Sequence, residues 1–233
     1  MLTIAGGKGG VGKTTTALAL AAALPGRPLV VDADHDMPDL HTLAGVARPG
    51  AVDGVRSPLA TDSPSLASTH VADVVDRCRY SDEHECRILP APTGDTPDPE
   101  RRLAKVKSAW TARTAPEPGE SPILIDTPAG GDIHAAAPLR VADGVVLVST
   151  ACAPSLRDTA KTASMARAVG TPVVGVVLTR TSARPPNVND LLGCPVLAAV
   201  PETPGDPLAD RRVRRRYDTA ASALHAATET YVP

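Results

Sequence analysis

Residues 7–14 read Gly7-Lys8-Gly9-Gly10-Val11-Gly12-Lys13-Thr14, a match to the pattern G-x-x-x-x-G-K-[ST]. An apolar run, Leu2 to Ala5, precedes it. An Ala-rich helical stretch, Thr14 to Leu24, follows it and stops at Pro25-Gly26. Strand, glycine-rich turn and helix in that order make a phosphate cradle. The glycines let backbone N–H groups converge on phosphate oxygens, and the helix N-terminus adds the positive end of its dipole. Gly7, Gly9, Gly10, Val11, Gly12 and Thr15 belong to this loop and its exit. Lys13 reaches the β- and γ-phosphates, and Thr14 ligates Mg²⁺. A bare glycine turn accounts for the glycines but not for Lys13-Thr14.

Outward from the loop, short apolar runs alternate with helical stretches. Leu29 to Val31, Arg87 to Leu89, Ile123 to Ile125, Val145 to Val148, Val173 to Leu178 and Val196 to Val200 read as buried strands. Pro99 to Arg113 and Ser155 to Val169 read as helices, the second with Ser155 as N-cap. Asp206 to Ala227 reads as a final helix or helix pair. The segment 42–86 is the least readable, with a short helix expected over Val71 to Cys78, and Ala115 to Pro122 reads as a loop. Continuous Val/Ile/Leu strands between helices predict a three-layer α/β/α fold with a mostly parallel, doubly wound sheet. One domain over residues 1–233 is expected.

The 233 residues are 42% hydrophobic and 21% charged, with formal net charge −2. That composition excludes wholesale disorder. Aromatics are 2%, with no Phe, so the core must be Ala, Val and Leu, and a base-stacking platform is excluded. No apolar run approaches a membrane span, and the chain enters a strand at once, without room for a signal peptide. A cytoplasmic location with reduced cysteines is expected. Cys152 and Cys194 read as small core residues. Cys78, His84 and Cys86 offer at most three metal ligands, without C-x-x-C or a second pair, and read as a polar loop.

Asp32 and Asp34 end the second strand, and Asp126 ends the one after the long loop. In a parallel sheet, ligands bind beyond the carboxyl ends of the strands, so all three carboxylates share an edge with the phosphate loop. Phosphoryl transfer to water needs a held Mg²⁺ and a group that orients the water. Asp126 suits the metal.

Lys8-Gly9-Gly10-Val11-Gly12-Lys13-Thr14 also resembles the deviant Walker A motif, K-G-G-x-G-K-[ST], of the MinD/ParA family of P-loop ATPases in the SIMIBI class. Asp126-Thr127-Pro128-Ala129-Gly130 resembles the family's D-[ST]-P-A-G segment. Pro154-Ser155-Leu156-Arg157-Asp158 resembles the family's MinD-type stretch of a Pro followed shortly by Arg-Asp. The resemblance implies ATP and Mg²⁺ as cofactors and an ATP-dependent homodimer. Lys8 would reach the partner's nucleotide, Asp34 would position the attacking water, and Asp32, Thr14 and Asp126 would serve Mg²⁺. Gly130 would lie near the γ-phosphate, with Thr179, Arg180 and Pro201 on the adenine side. After Asp34 the chain departs from the partition pattern, reading His35-Asp36-Met37-Pro38-Asp39, which leans toward the MinD or Mrp side of the family and leaves Asp36 and Asp39 without assigned roles.

The implied function is an ATP-hydrolysing dimer switch in spatial positioning, division-site selection or DNA/cargo partition, slow without an activator protein. An ATP-binding regulatory scaffold with little hydrolysis is the alternative, and a small-molecule ligase on the same fold is a third reading. The tail from Asp218 lacks the basic-apolar stripe of a membrane-targeting helix. Arg211 to Arg216 is the densest charge run. Arg211, Arg214 and Arg215 share a helix face, a solvated surface or a site for nonspecific DNA or an acidic protein.

Overall fold

The computed structural model describes residues 1–48, 77–92, 98–114, 122–128, 130 and 133–231. The loop expected at 115–122 and the helix expected at 71–78 lie outside the described residues, save for Arg77, Cys78 and Pro122.

Among the described residues, eight strands form one sheet: β1 (Leu2–Ala5), β2 (Leu29–Asp32), β3 (Arg79–Ser81), β4 (Cys86–Leu89), β5 (Ile123–Asp126), β6 (Gly144–Thr150), β7 (Val173–Thr179) and β8 (Val196–Ala199). Their order is β3-β4-β2-β5-β1-β6-β7-β8. All neighbours pair in parallel except β3 and β4. The helices are α1 (Lys13–Ala23), α2 (Leu40–Leu43), α3 (Pro99–Thr114), α4 (Ile133–Val141), α5 (Ala153–Ala168), α6 (Val188–Leu192) and α7 (Arg211–Tyr231).

Strand alternation sorts the core onto two faces. Ile4, Val30, Leu124, Val146 and Val177 pack with Leu18 and Leu20 of α1 and with Val213, Tyr217 and Leu224 of α7. On the other face, Val145, Leu147, Val176 and Leu178 meet Leu139 of α4, Leu156 and Ala163 of α5 and Leu192 of α6. Beside them Leu29, Val31 and Ile125 meet Leu103, Val106 and Trp110 of α3. Each fully buried Leu, Ile or Val contributes about 1.5–3 kcal/mol relative to exposure. The expected three-layer, mostly parallel architecture is the one observed.

Some local readings need correction. Ser155 does not cap its helix. The N-cap is Cys152, and the Ser155 hydroxyl sits inside the first turn, where it meets Ser149 Oγ at 2.9 Å and accepts from the Thr150 N–H at 3.1 Å. Cys152 is exposed, not a core residue, because the cap lies beyond the end of β6. The C-terminal helix is a single one and starts at Arg211, not 206. Asp210 halts its N-terminal fraying by accepting the Arg212 N–H at 2.7 Å. Cys78, His84 and Cys86 belong to or flank the β3–β4 hairpin, and all three are buried. No group of three His, Cys, Asp or Glu side chains placed to share a metal ion is gathered there or elsewhere among the described residues.

Candidate functional site

The parallel pairing of β2 with β5 sets Asp32 directly opposite Asp126, and Ile4 of β1 is the other neighbour of Asp126. Three strand ends thus converge where the glycine loop leaves β1. The loop can pass only as glycine at position 7. A Cβ there would lie 2.3 Å from the backbone carbonyl carbon of Asp158 on α5. Gly12, at φ 92°, turns the chain into α1, a conformation costly for other residues. From the far side, the Thr179 hydroxyl donates to the Val11 carbonyl at 2.8 Å, and Arg180 Nη2 donates to the Gly10 carbonyl at 2.9 Å. Thr179 and Arg180 are therefore fastened to the loop itself. Pro201 is half-buried beyond β8, and the exposed Gly130 has φ 121° beyond β5. Thr15 is half-buried in the first turn of α1.

Lys13 is buried to 8% exposure, and its ammonium folds back toward the Lys8 carbonyl at 3.4 Å. Burial lowers its pKa, against the opposing pull of Asp126, Asp34 and Asp39. Asp32 and Asp126 are sealed, at 0% and 1% exposure. Burial pushes their carboxyls up to about 7 and about 8; repulsion from Asp34 and Asp39 adds to it at Asp32, and repulsion from Asp32 and Asp39 adds to it at Asp126. One Asp32 oxygen accepts the Asp34 N–H at 3.0 Å, but Asp32 Oδ2 and Asp126 Oδ1 have no hydrogen-bond partner. Two orphaned buried carboxylate oxygens at a strand edge are costly unless a cation or its water shell satisfies them. The donor set, all oxygen and centred on Thr14, Asp32 and Asp126, suits a hard divalent cation such as Mg²⁺.

Asp34 is half-buried at the rim, where its Oδ1 accepts the Met37 N–H at 2.9 Å. The Thr14 hydroxyl lies beside two carboxylates. It lowers the pKa of Asp126, and it donates to Asp39 Oδ1 at 3.4 Å. Lys8 extends the other way, its ammonium 3.3 Å from Asp158 Oδ2, and Lys161 grips the same carboxylate at 2.9 Å. Loop, strand ends and the start of α5 thus bring Lys8, Lys13, Thr14, Asp32, Asp34 and Asp126 to one edge.

Arg211, Arg214 and Arg215 are exposed and lie elsewhere. The end of α1, the β3–β4 turn and the start of α7 line a cavity of about 310 Å³, touched by Ala23, Glu83 and Arg214. Nearer the loop, Tyr217 meets Thr16 at 2.9 Å. So α7 begins at the end of the sheet opposite the phosphate loop and runs back toward it. Sequence reasoning gave no role to Asp39 and missed Arg102, which donates to the Asp32 carbonyl at 3.4 Å and whose pKa burial lowers to about 10. Arg102 carries no local motif. Asp39 stood out only as one more acid in a run of them.

Residues 2–213 match the model of the CobQ/CobB/MinD/ParA nucleotide binding domain. An uncharacterized ATP-binding protein of Methanocaldococcus jannaschii is 29% identical over 212 residues, covering 87% of this chain and 74% of that protein. The septum site-determining protein MinD of Pyrococcus horikoshii OT3, solved with Mg-ADP, superposes with a TM-score of 0.72 at 24% identity, over 99% of this chain and 98% of that one. Cobyrinic acid a,c-diamide synthase of Mycobacterium smegmatis, solved with an ATP analog and magnesium, gives 0.69 at 20% identity, over 98% and 95%.

Proposed function

The chain belongs to the CobQ/CobB/MinD/ParA nucleotide-binding family, and on that premise we propose that it is a Mg²⁺-dependent ATPase that works as a nucleotide-controlled dimer switch. Residues 1–233 act as one ATPase domain, in the cytoplasm, in the spatial positioning or partition of a cargo, with turnover raised by an activator protein. The observation that carries the reading is the cluster of Asp32, Asp34, Asp39 and Asp126 around the single ammonium of Lys13, with two carboxylate oxygens orphaned. Mg²⁺, when bound, neutralises the charge that grows on the transferring phosphoryl group.

The other steps fall to this chain's own groups. Backbone N–H groups of Gly9 to Thr14 and the Lys13 ammonium hold the phosphates of ATP, and Thr14, Asp32 and Asp126 supply oxygen atoms to the metal and its shell. Asp34 orients the attacking water and accepts its proton, while its Oδ1 accepts the Met37 N–H. Lys8 leaves Asp158 and crosses to the partner's nucleotide in the dimer. No helix among the described residues is long and apolar enough to cross a membrane.

The test is ATP turnover together with solution mass in ATP and in ADP. Wild-type protein hydrolyses ATP slowly and doubles its mass in ATP alone. Asp34→Ala keeps nucleotide, loses most turnover and accumulates the dimer. An unchanged mass in ATP would sink the switch, and wild-type turnover in Asp34→Ala would move the water-positioning role to another residue.

A further inference from the structure

Thr14 has one hydroxyl proton and two carboxylates beside it. A serine or threonine oxygen that ligates a metal gives a lone pair to the cation, so its proton must go to an acceptor elsewhere. If that acceptor were Asp126, one of the oxygens needed by the metal's shell would be spent on it. The structure offers another. The Thr14 hydroxyl lies within hydrogen-bonding reach of Asp126 and also donates to Asp39 Oδ1 at 3.4 Å, while Asp126 Oδ1 stays without a protein partner.

Asp39 stands at the N-cap position of α2, where an aspartate ordinarily accepts a backbone N–H of the first turn. It makes no such side-chain bond. Its carboxylate turns to Thr14 instead, and its charge is felt at Lys13, Asp32 and Asp126 together.

We propose that Asp39 is a positioning residue for the metal: it takes the Thr14 proton, aims the hydroxyl's lone pairs at the cation, and leaves Asp126 to the metal's shell. The proposal rests on the Mg²⁺-nucleotide reading of this edge. Outer-shell partners of this kind are worth about 10–100-fold in metal affinity.

The experiment is a binding titration without turnover. Full-length protein is loaded with fluorescent ADP in EDTA, and Mg²⁺ is then titrated in. Mn²⁺ is followed in parallel by electron paramagnetic resonance. Asp39→Ala should weaken metal binding about 10-fold or more while ADP affinity in EDTA stays within about 2-fold of wild type. Asp39→Asn keeps an acceptor oxygen for Thr14 and should recover part of the loss. Asp36→Asn removes a nearby exposed carboxylate and should leave the metal titration unchanged.

Metal affinity of Asp39→Ala within about 2-fold of wild type would overturn the proposal. So would equal losses of ADP binding with and without metal, the mark of a structural role. If wild-type protein binds ADP no better with Mg²⁺ than in EDTA, the metal-nucleotide reading itself fails, which is a different result.

Discussion

Lys13 is the residue whose loss the site tolerates least. Its ammonium is buried among carboxylates, and the phosphate loop places no other buried cation beside it. Lys13→Ala should abolish ATP and ADP binding, checked by calorimetric titration; a variant that keeps wild-type affinity would refute the phosphate-loop assignment. Asp32 and Asp126 allow a second prediction, with its sign fixed by their direction of shift. Both carboxyls are raised, to about 7 and about 8, from an unfolded value of 3.8. The folded, metal-free protein therefore holds more protons than the unfolded chain between roughly pH 4 and pH 8. That contribution is complete below the unfolded value and lost as pH rises through the folded ones. Melting of metal-free protein should thus occur at lower temperature at pH 8.5 than at pH 5.5, and saturating Mg²⁺ with ADP should shrink the difference. A metal-free protein more stable at the higher pH would contradict the assignment of these two groups as the sealed carboxylates.

At the scale of elements, the sites that a local motif encodes were legible and those that depend on pairing were not. The loop from Gly7 to Thr14 announces itself because glycine, lysine and threonine each meet a separate chemical need at a fixed spacing. Leu29 to Val31 and Ile123 to Ile125 were legible as strands because both their faces are buried. That Asp32 faces Asp126 is a matter of register between strands about ninety residues apart, and no local signal carries it. The three-residue β3 was missed because Arg79 and Tyr80 lack an apolar run, and its strand exists only as the antiparallel partner of β4. Helices α4 and α6 were missed for their brevity, at nine and five residues, since tertiary packing rather than propensity holds such short elements. Tyr217 shows what that packing contributes. It is the largest of the fully buried side chains among the described residues, and its hydroxyl is paired with Thr16 inside the α1–α7 interface. Tyr217→Phe leaves the Thr16 hydroxyl without that partner and should cost about 1–3 kcal/mol in urea unfolding. A loss under about 0.5 kcal/mol would mean that the bond is replaced by another.

For the whole molecule, the fold separates two charged regions. The carboxylate edge with its loop lies at one end of the sheet, and Arg211 to Arg216 begin α7 at the other. A polyanion that binds Arg211, Arg214 and Arg215 therefore need not collide with a bound nucleotide. If six such contacts form in a dimer, log K should fall with log salt at a slope on the order of −5. Changing the three arginines to glutamate should abolish duplex binding in a salt-titrated mobility shift and leave ATP affinity intact. No binding to random duplex at low salt in the presence of ATP would return the cluster to a solvated face. The position of β1 has a further consequence, which amide exchange would reveal. It is clamped between β5 and β6, with three more strands beyond β5 and two beyond β6. Its N–H groups should then exchange with deuterium only through global opening, at the slowest rates in the chain. The strand that carries the phosphate loop is thus the fixed side of the site, and the expected path of nucleotide release is movement of the more exposed rim from Asp34 to Asp39.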